Sequence, residues 1–235
     1  LEFRRVLFRS ALNMAWDKDI IAQKVMGQGQ RAAWVISQPE IGGVKLHAPE
    51  YASWPLEKRI AEAKKLLAEA GFGPEHPLSL NLLYNTFETH QRIAIAVSSM
   101  WKKNLGVEAK LQNQEWKTML DTMHTGNFDV VRYAWIADYD DASSFLNIFR
   151  TGDSENTTKY SNPAFDEAMR NAAKANSLEE RGKYYQQAED LLGDDVPAIP
   201  VYHYVRTHLV KPWVGGFAPD NRGNYYTKDM YIKKH

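Results

Sequence analysis

The sequence predicts an α/β chain, a mostly parallel sheet flanked by helices. Three observations carry that expectation. Runs of strand composition at 78–84, at 107–111 and around Val130 and Val131 alternate with helix-period segments at 88–103 and 115–123. That strand–helix–strand–helix–strand order calls for right-handed crossovers and parallel pairing, with helices on the faces of the sheet. Glycines stand where two of the helical segments stop, Gly71 and Gly106.

The 235 residues suffice for one large domain or two small ones. Hydrophobic residues make up 44% and charged residues 25%, an ordinary balance for a globular chain. Acids and bases are interspersed and cancel to a net charge of zero, which argues against a nucleic-acid partner. No apolar run approaches the roughly eighteen residues that span a bilayer. The lack of cysteine excludes disulfides, thiolate metal sites and cysteine nucleophiles, and fits either a cytosolic or a periplasmic setting. Seven tryptophans and twelve tyrosines either line a ligand cleft or fill the core, and the core reading carries more weight.

In chain order, residues 1–10 alternate arginines with apolar side chains and read as a foreign, scar-like leader outside the fold. The alternative is a short native amphipathic start. From Ala11 the chain reads as though it enters a domain midway. Asp17 caps a helix through Ile20, Ile21 and Val25 that stops at Gly27. Residues 28–52 show no clear period and read as an irregular connection. Ser53-Trp54-Pro55 then opens a helix with Ile60, Ala63, Leu66, Leu67 and Ala70 along one face. In the segment 88–103 the core face is Ile93, Ala96, Val97, Met100 and Trp101. Phe128 to Trp135 has the composition of a strand packed on both faces. Asn162-Pro163 marks a helix start, and Ser177 with Glu180 forms a capping box opening another. Residues 199–205 make an aromatic strand whose Pro200 places it at an edge or a strand start, and the tail beyond is irregular.

Motifs of catalysis are scarce. There is no Gly-x-Ser-x-Gly elbow, no His-Glu-x-x-His pair and no Walker-type glycine loop. His47, His76, His90, His124, His203, His208 and His235 lack tight ligand spacing, so neither a metal nor a cofactor is expected. Asp138, Asp140 and Asp141 are close enough for acid–base work in a hydrolase that would enlist His124 or His203. Acids clustered at a strand end more often form a solvated turn or a helix cap.

Ligands of open α/β sheets bind beyond the carboxyl ends of the strands. Tyr84-Asn85-Thr86 and residues 135–138 occupy such ends. Arg132 lies in the last strand run, and a buried charge needs a partner. Either it pairs internally with Asp129 or Asp138, or it clamps an anionic ligand. If Arg132 and Asp138 are both open, they form a dipole suited to a free peptide, at most roughly 20 Å apart in extended chain. The acid would then take an α-ammonium and the guanidinium an α-carboxylate.

Several stretches carry a family resemblance. They are Ala68-Glu69-Ala70-Gly71, Leu82-Leu83-Tyr84-Asn85-Thr86, Ile93-Ala94-Ile95-Ala96-Val97, Trp101-Lys102-Lys103-Asn104-Leu105-Gly106-Val107 and Asn113-Gln114-Glu115-Trp116-Lys117-Thr118. Ala137-Asp138-Tyr139, Ser144-Phe145-Leu146, Asn162-Pro163-Ala164-Phe165-Asp166 and Leu209-Val210-Lys211-Pro212-Trp213-Val214-Gly215-Gly216 continue it. From Ala11 to His235 the chain resembles the C-terminal part of periplasmic oligopeptide-binding proteins, the solute receptors of peptide ABC importers. The resemblance implies the C-terminal lobe of a two-lobed class II periplasmic binding protein, here truncated. Residues 11–205 would be the peptide-binding lobe, and residues 206–235 a tail returning to the absent N-terminal lobe.

On that resemblance Asp138 holds the ligand's α-amino group. Arg132 meets the carboxylate of short peptides, and His90 that of a longer one. Asn85, Trp116, His124, Trp135 and Tyr204 line the cleft. The backbone of Tyr133, Ala134, Trp135 and Ile136 pairs with the peptide as an added strand. The implied partners are short peptides of about two to five residues and the membrane permease of an ABC importer. The implied setting is periplasmic, the full-length receptor a monomer, and no catalysis is expected. Two departures leave the ligand class open. Oligopeptide receptors carry an arginine where this chain has Met123 and a lysine where it has Met26, and murein-tripeptide receptors share the latter methionine. Tyr133 and Ile136 also replace different pocket residues.

Overall fold

The computed structural model describes residues 2–220 and 223–234, with side chains from residue 6 onward. The chain enters through α1 (Glu2–Met14), passes a π-helical turn at Ile20–Met26 and forms the short β1 (Arg31–Ala32). Then come α2 (Leu56–Glu69), β2 (Ser79–Asn85), α3 (Glu88–Leu105), β3 (Glu108–Gln114), α4 (Trp116–Thr125) and β4 (Val130–Val131). The helices α5 (Ser143–Leu146), α6 (Pro163–Lys174) and α7 (Leu178–Asp195) follow, then the short strands β5 (Tyr202–His203), β6 (Val214–Gly215) and β7 (Tyr231–Ile232).

The expected parallel sheet is present, in the order β3-β2-β4. Its central strand explains the layering. Side chains of a strand alternate between faces, and Leu80, Leu82 and Tyr84 of β2 pack into a core shared with α1, α2 and α3. Leu83 points the other way, onto Met119 and Met123 of α4. A second core gathers Leu146, Phe165, Met169, Tyr185 and Leu192 from α5, α6 and α7 around Ile41 and Val44.

Local signals hold where they depend on neighbours in sequence. Asp17 Oδ1 accepts from the backbone of Asp19 and Ile20, and the turn stops at Gly27 with φ 68°. Asn162 Oδ1 accepts from the backbone of Ala164 and Phe165. Ser177 Oγ accepts from Glu180 N, while Glu180 reaches back to Asn176 N instead of Ser177 N.

Three expectations need correction. Residues 2–10 do not stand apart from the fold as a leader would. The helix α1 runs through the boundary at residue 10, Leu7 is 8% exposed, and Phe8 meets the edge of Phe72 at 6.4 Å. Leu7 and Ala11 are spaced by four on α1, and both are buried. Second, the run from Phe128 is not a strand packed on both faces. Only Val130 and Val131 pair, at the sheet edge and half-buried, with one more backbone bond from Arg132 N to Leu83 O at 2.7 Å. Third, the irregular connection contains β1, which pairs antiparallel with β5 (Arg31↔His203), and the tail contains the β6–β7 pair. Lys18, fully buried, ties β1 to the first helix by donating to Asn13 Oδ1 and Ala33 O beneath the Trp34 ring.

Candidate functional site

The carboxyl ends of β2, β3 and β4 lie along one edge because the strands are parallel. Asn85 closes β2, Trp116 opens α4 just after β3, and Arg132 follows β4. This edge collects most of the candidate residues.

Asn85 is buried, and its Oδ1 lies 2.6 Å from His90 Nδ1. A carbonyl oxygen only accepts, so the proton of the neutral imidazole sits on Nδ1 and Nε2 is left as a bare acceptor. Burial, then the nearby Arg132 charge, lower the His90 pKa to about 4. At neutral pH His90 is therefore an uncharged hydrogen-bonding group. Arg132 enters no ion pair among the described residues, and its Nη2 donates to the Tyr204 hydroxyl. Asp129, one of the two internal partners considered for it, accepts instead from Asn81 N and Nδ2, both at 2.8 Å. Tyr204 leans on Tyr202 with ring centroids 5.1 Å apart, and burial raises the Tyr202 phenol.

Trp116 and Tyr133 stack with centroids 6.3 Å apart and planes 11° from parallel, both partly open to solvent. From Tyr133 to Ile136 the backbone has no assigned secondary structure and makes no backbone–backbone hydrogen bond among the described residues. The far end of this strip is pinned by Ser144, whose carbonyl accepts from Trp135 Nε1 and whose Oγ accepts from Asp138 N, each at 2.8 Å. Asp138 itself is exposed. The result is an unpaired four-residue strip between a guanidinium and a carboxylate residue. Such a strip offers main-chain donors and acceptors to an extended partner.

Not every candidate joins. His124 lies eight residues beyond Trp116, about 12 Å along α4, exposed and without hydrogen bond or ring contact to the others among the described residues. Met123 is 1% exposed and packs beneath the sheet against Leu83, so it is core and not cleft lining. Ser144 and Tyr202 were missed, because nothing local distinguishes a serine that anchors a strip six residues upstream.

The acidic cluster is structural. Asp140 Oδ1 accepts from Gly42 N. Asp141 Oδ1 accepts from Ser143 N and Oγ and from the Tyr185 hydroxyl, and Oδ2 meets Arg181 at 3.4 Å. Burial works to raise its pKa, but the bonds from Ser143 and Tyr185 and the Arg181 charge outweigh that and hold it below the usual carboxylate range. His203, the histidine offered as a partner, sits opposite Arg31 in β5, with its pKa lowered to about 4 by burial and that charge. Among the described residues no three His, Cys, Asp or Glu side chains are grouped to hold a metal ion.

Comparison with known proteins places this edge in a family. The chain is 50% identical over 234 residues to the periplasmic oligopeptide-binding protein OppA of Escherichia coli (strain K12), covering 99% of this chain and 43% of that protein. It superposes on the structure of the Escherichia coli murein tripeptide binding protein MppA with a TM-score of 0.89 at 43% identity, covering 99% of this chain and 45% of the other. Haemophilus influenzae OppA in complex with RPPGFSPFR gives 0.87 at 42% identity, covering 97% and 45%. The chain thus spans less than half the length of these relatives. The model of bacterial extracellular solute-binding proteins, family 5 Middle, matches residues 2–157, which includes α1 and the whole sheet edge. On that match, together with the shared α/β fold, the chain belongs to the family 5 bacterial extracellular solute-binding proteins.

Proposed function

We propose that this chain supplies one wall of a peptide-binding cleft in the periplasmic solute-binding component of an ABC importer. The observation that carries the reading is the unpaired backbone of Tyr133–Ile136 between Arg132 and Asp138. An extended peptide adding to that strip gains affinity from its main chain whatever its side chains, as one receptor for many sequences requires. Asp138 takes the α-ammonium and Arg132 the α-carboxylate of a short ligand. Trp116, Tyr133, Trp135 and Tyr204 form the walls, and Asn85 orients His90. His124 has the weakest support, being exposed and remote from the rest. The role is capture and delivery to membrane permease components, without bond cleavage. The relatives' greater length supports a second lobe closing over the ligand, with residues 206–235 returning to it.

The test is calorimetry with tri- and tetra-lysine on this chain extended to the length of its relatives. Asp138→Ala should weaken binding at least about tenfold, or 1.4 kcal/mol. Unchanged affinity would refute the ammonium assignment, and turnover of a peptide or glycan would refute the non-enzymatic reading. A murein-tripeptide ligand is the second reading, favoured by Met26, a half-buried core-packing side chain with no charge to offer. A murein tripeptide that outcompetes tri-lysine would select it.

A further inference from the structure

A groove of about 560 Å³ opens between α5, α6 and α7. Four cations line it: Arg150, Arg170, Lys174 and Arg181. They come from separate places in the chain, after α5, from one face of α6, and from α7. The lining holds a single carboxylate, Asp141, whose Oδ1 is already bonded to Ser143 and Tyr185. Counting four positive charges against one negative leaves three in excess, in a chain of zero net charge.

Arg150, Arg170 and Lys174 enter no ion pair among the described residues. Arg170 and Lys174 are four apart on α6, a spacing at which like charges repel. Arg181 reaches Asp141 only at 3.4 Å, and its Nε is buried without an acceptor. A buried donor left unpaired is unfavourable and calls for a partner. Met169, Ala173 and Tyr185 add apolar walls, and Ser143 and Asn147 add neutral polar groups. The volume is that of a small-molecule site, larger than a single inorganic ion needs.

We propose that this groove binds a small, multiply charged oxyanion, a phosphate- or polycarboxylate-bearing molecule held by the guanidinium forks of Arg150, Arg170 and Arg181 and the Lys174 ammonium. Arginine forks match the planar oxygen pairs of both acid groups. None of the lining residues is among those assigned to the peptide, and Ser143 adjoins Ser144, which pins the end of the strip.

The experiment is calorimetry on the 235-residue chain with sodium pyrophosphate and with citrate, at a fixed ionic strength of about 0.15 M. Saturable one-site binding of either anion is expected, and whichever binds more tightly names the acid group. The double variant Arg170→Gln with Lys174→Gln, both exposed, should weaken it at least about tenfold. Lys102→Gln with Lys103→Gln removes equal charge from α3 and should leave it unchanged. Melting curves confirm that both variants fold. No saturable binding, equal weakening in both variants, or binding to phosphatidylglycerol vesicles but to neither soluble anion would each overturn the proposal.

Discussion

The proton on His90 is fixed by Asn85. With Nδ1 donating to the Asn85 carbonyl and Arg132 nearby, a second proton on the ring is opposed by burial and by charge. We expect its proton resonances to titrate near pH 4, and Arg132→Gln to move that midpoint upward by removing the named charge. The sign for stability follows by linkage. The folded pKa lies below the unfolded value of about 6.5, so folding sheds protons between them. The stabilisation is complete above about pH 6.5, is lost as pH falls toward 4, and loses nothing more below that. His203, also lowered to about 4, acts in the same window. Urea midpoints at pH 7, 5.5 and 4.5 should therefore fall less steeply in a His90→Gln, His203→Gln double variant than in the parent chain. An equal slope in both would refute the assignment. The sequence alone gives His90 no such character. Its environment arises because the turn after β2 folds α3 back over the strand end, and no spacing rule reports that.

Among the elements, α5 shows how a short helix is held. Four residues cannot sustain a helix by their own hydrogen bonds, and α5 depends on Asp141, which bonds Ser143 and reaches Tyr185 and Arg181 on α7. Asp141→Ala leaves a buried phenol without its acceptor and should cost about 2–4 kcal/mol. Ser177→Ala, which removes one exposed cap from α7, should cost about 1 kcal/mol. Chemical denaturation that ranks the two equally would contradict this account. The contrast also explains what could be read in advance. The caps at Asp17, Asn162 and Ser177 were legible because donor and acceptor lie within a few residues. The edge position of β4 was not, because Asp129 answers to Asn81, 48 residues away, and composition cannot say which side of a strand stays open. The same gap applies to α1: its alternating arginines are legible in the sequence, but the apolar side chains of α2 and α3 that share a core with Ala11 are not.

For the molecule as a whole, the two cores and the tail differ in kind. Through residue 205 two shared cores gather the buried apolar side chains. Beyond it Leu209 is 97% exposed, Ile232 66% and Tyr231 60%. The tail has its own order, a ring cluster of His208, Phe217 and Tyr225, the β6–β7 pair, and an Arg206 bond to the Gly223 carbonyl. These side chains stay exposed among the described residues despite that order, and exposed apolar surface of this kind favours association. If the tail belongs against a second lobe, deleting residues 206–235 should leave the melting temperature within a few degrees, because both cores remain. Sedimentation velocity should show less concentration-dependent self-association in the shortened chain. In a chain extended to the relatives' length, the amides of residues 209–211 should exchange more slowly than in this chain. Loss of cooperative unfolding on deletion would mean instead that the tail is part of the folded body. If the strip from Tyr133 to Ile136 is one wall of a two-walled cleft, it cannot by itself desolvate a peptide, and this chain alone should bind tri-lysine more weakly than about 1 μM, about −8.2 kcal/mol. Tighter binding would show that the strip from Tyr133 to Ile136 suffices without closure.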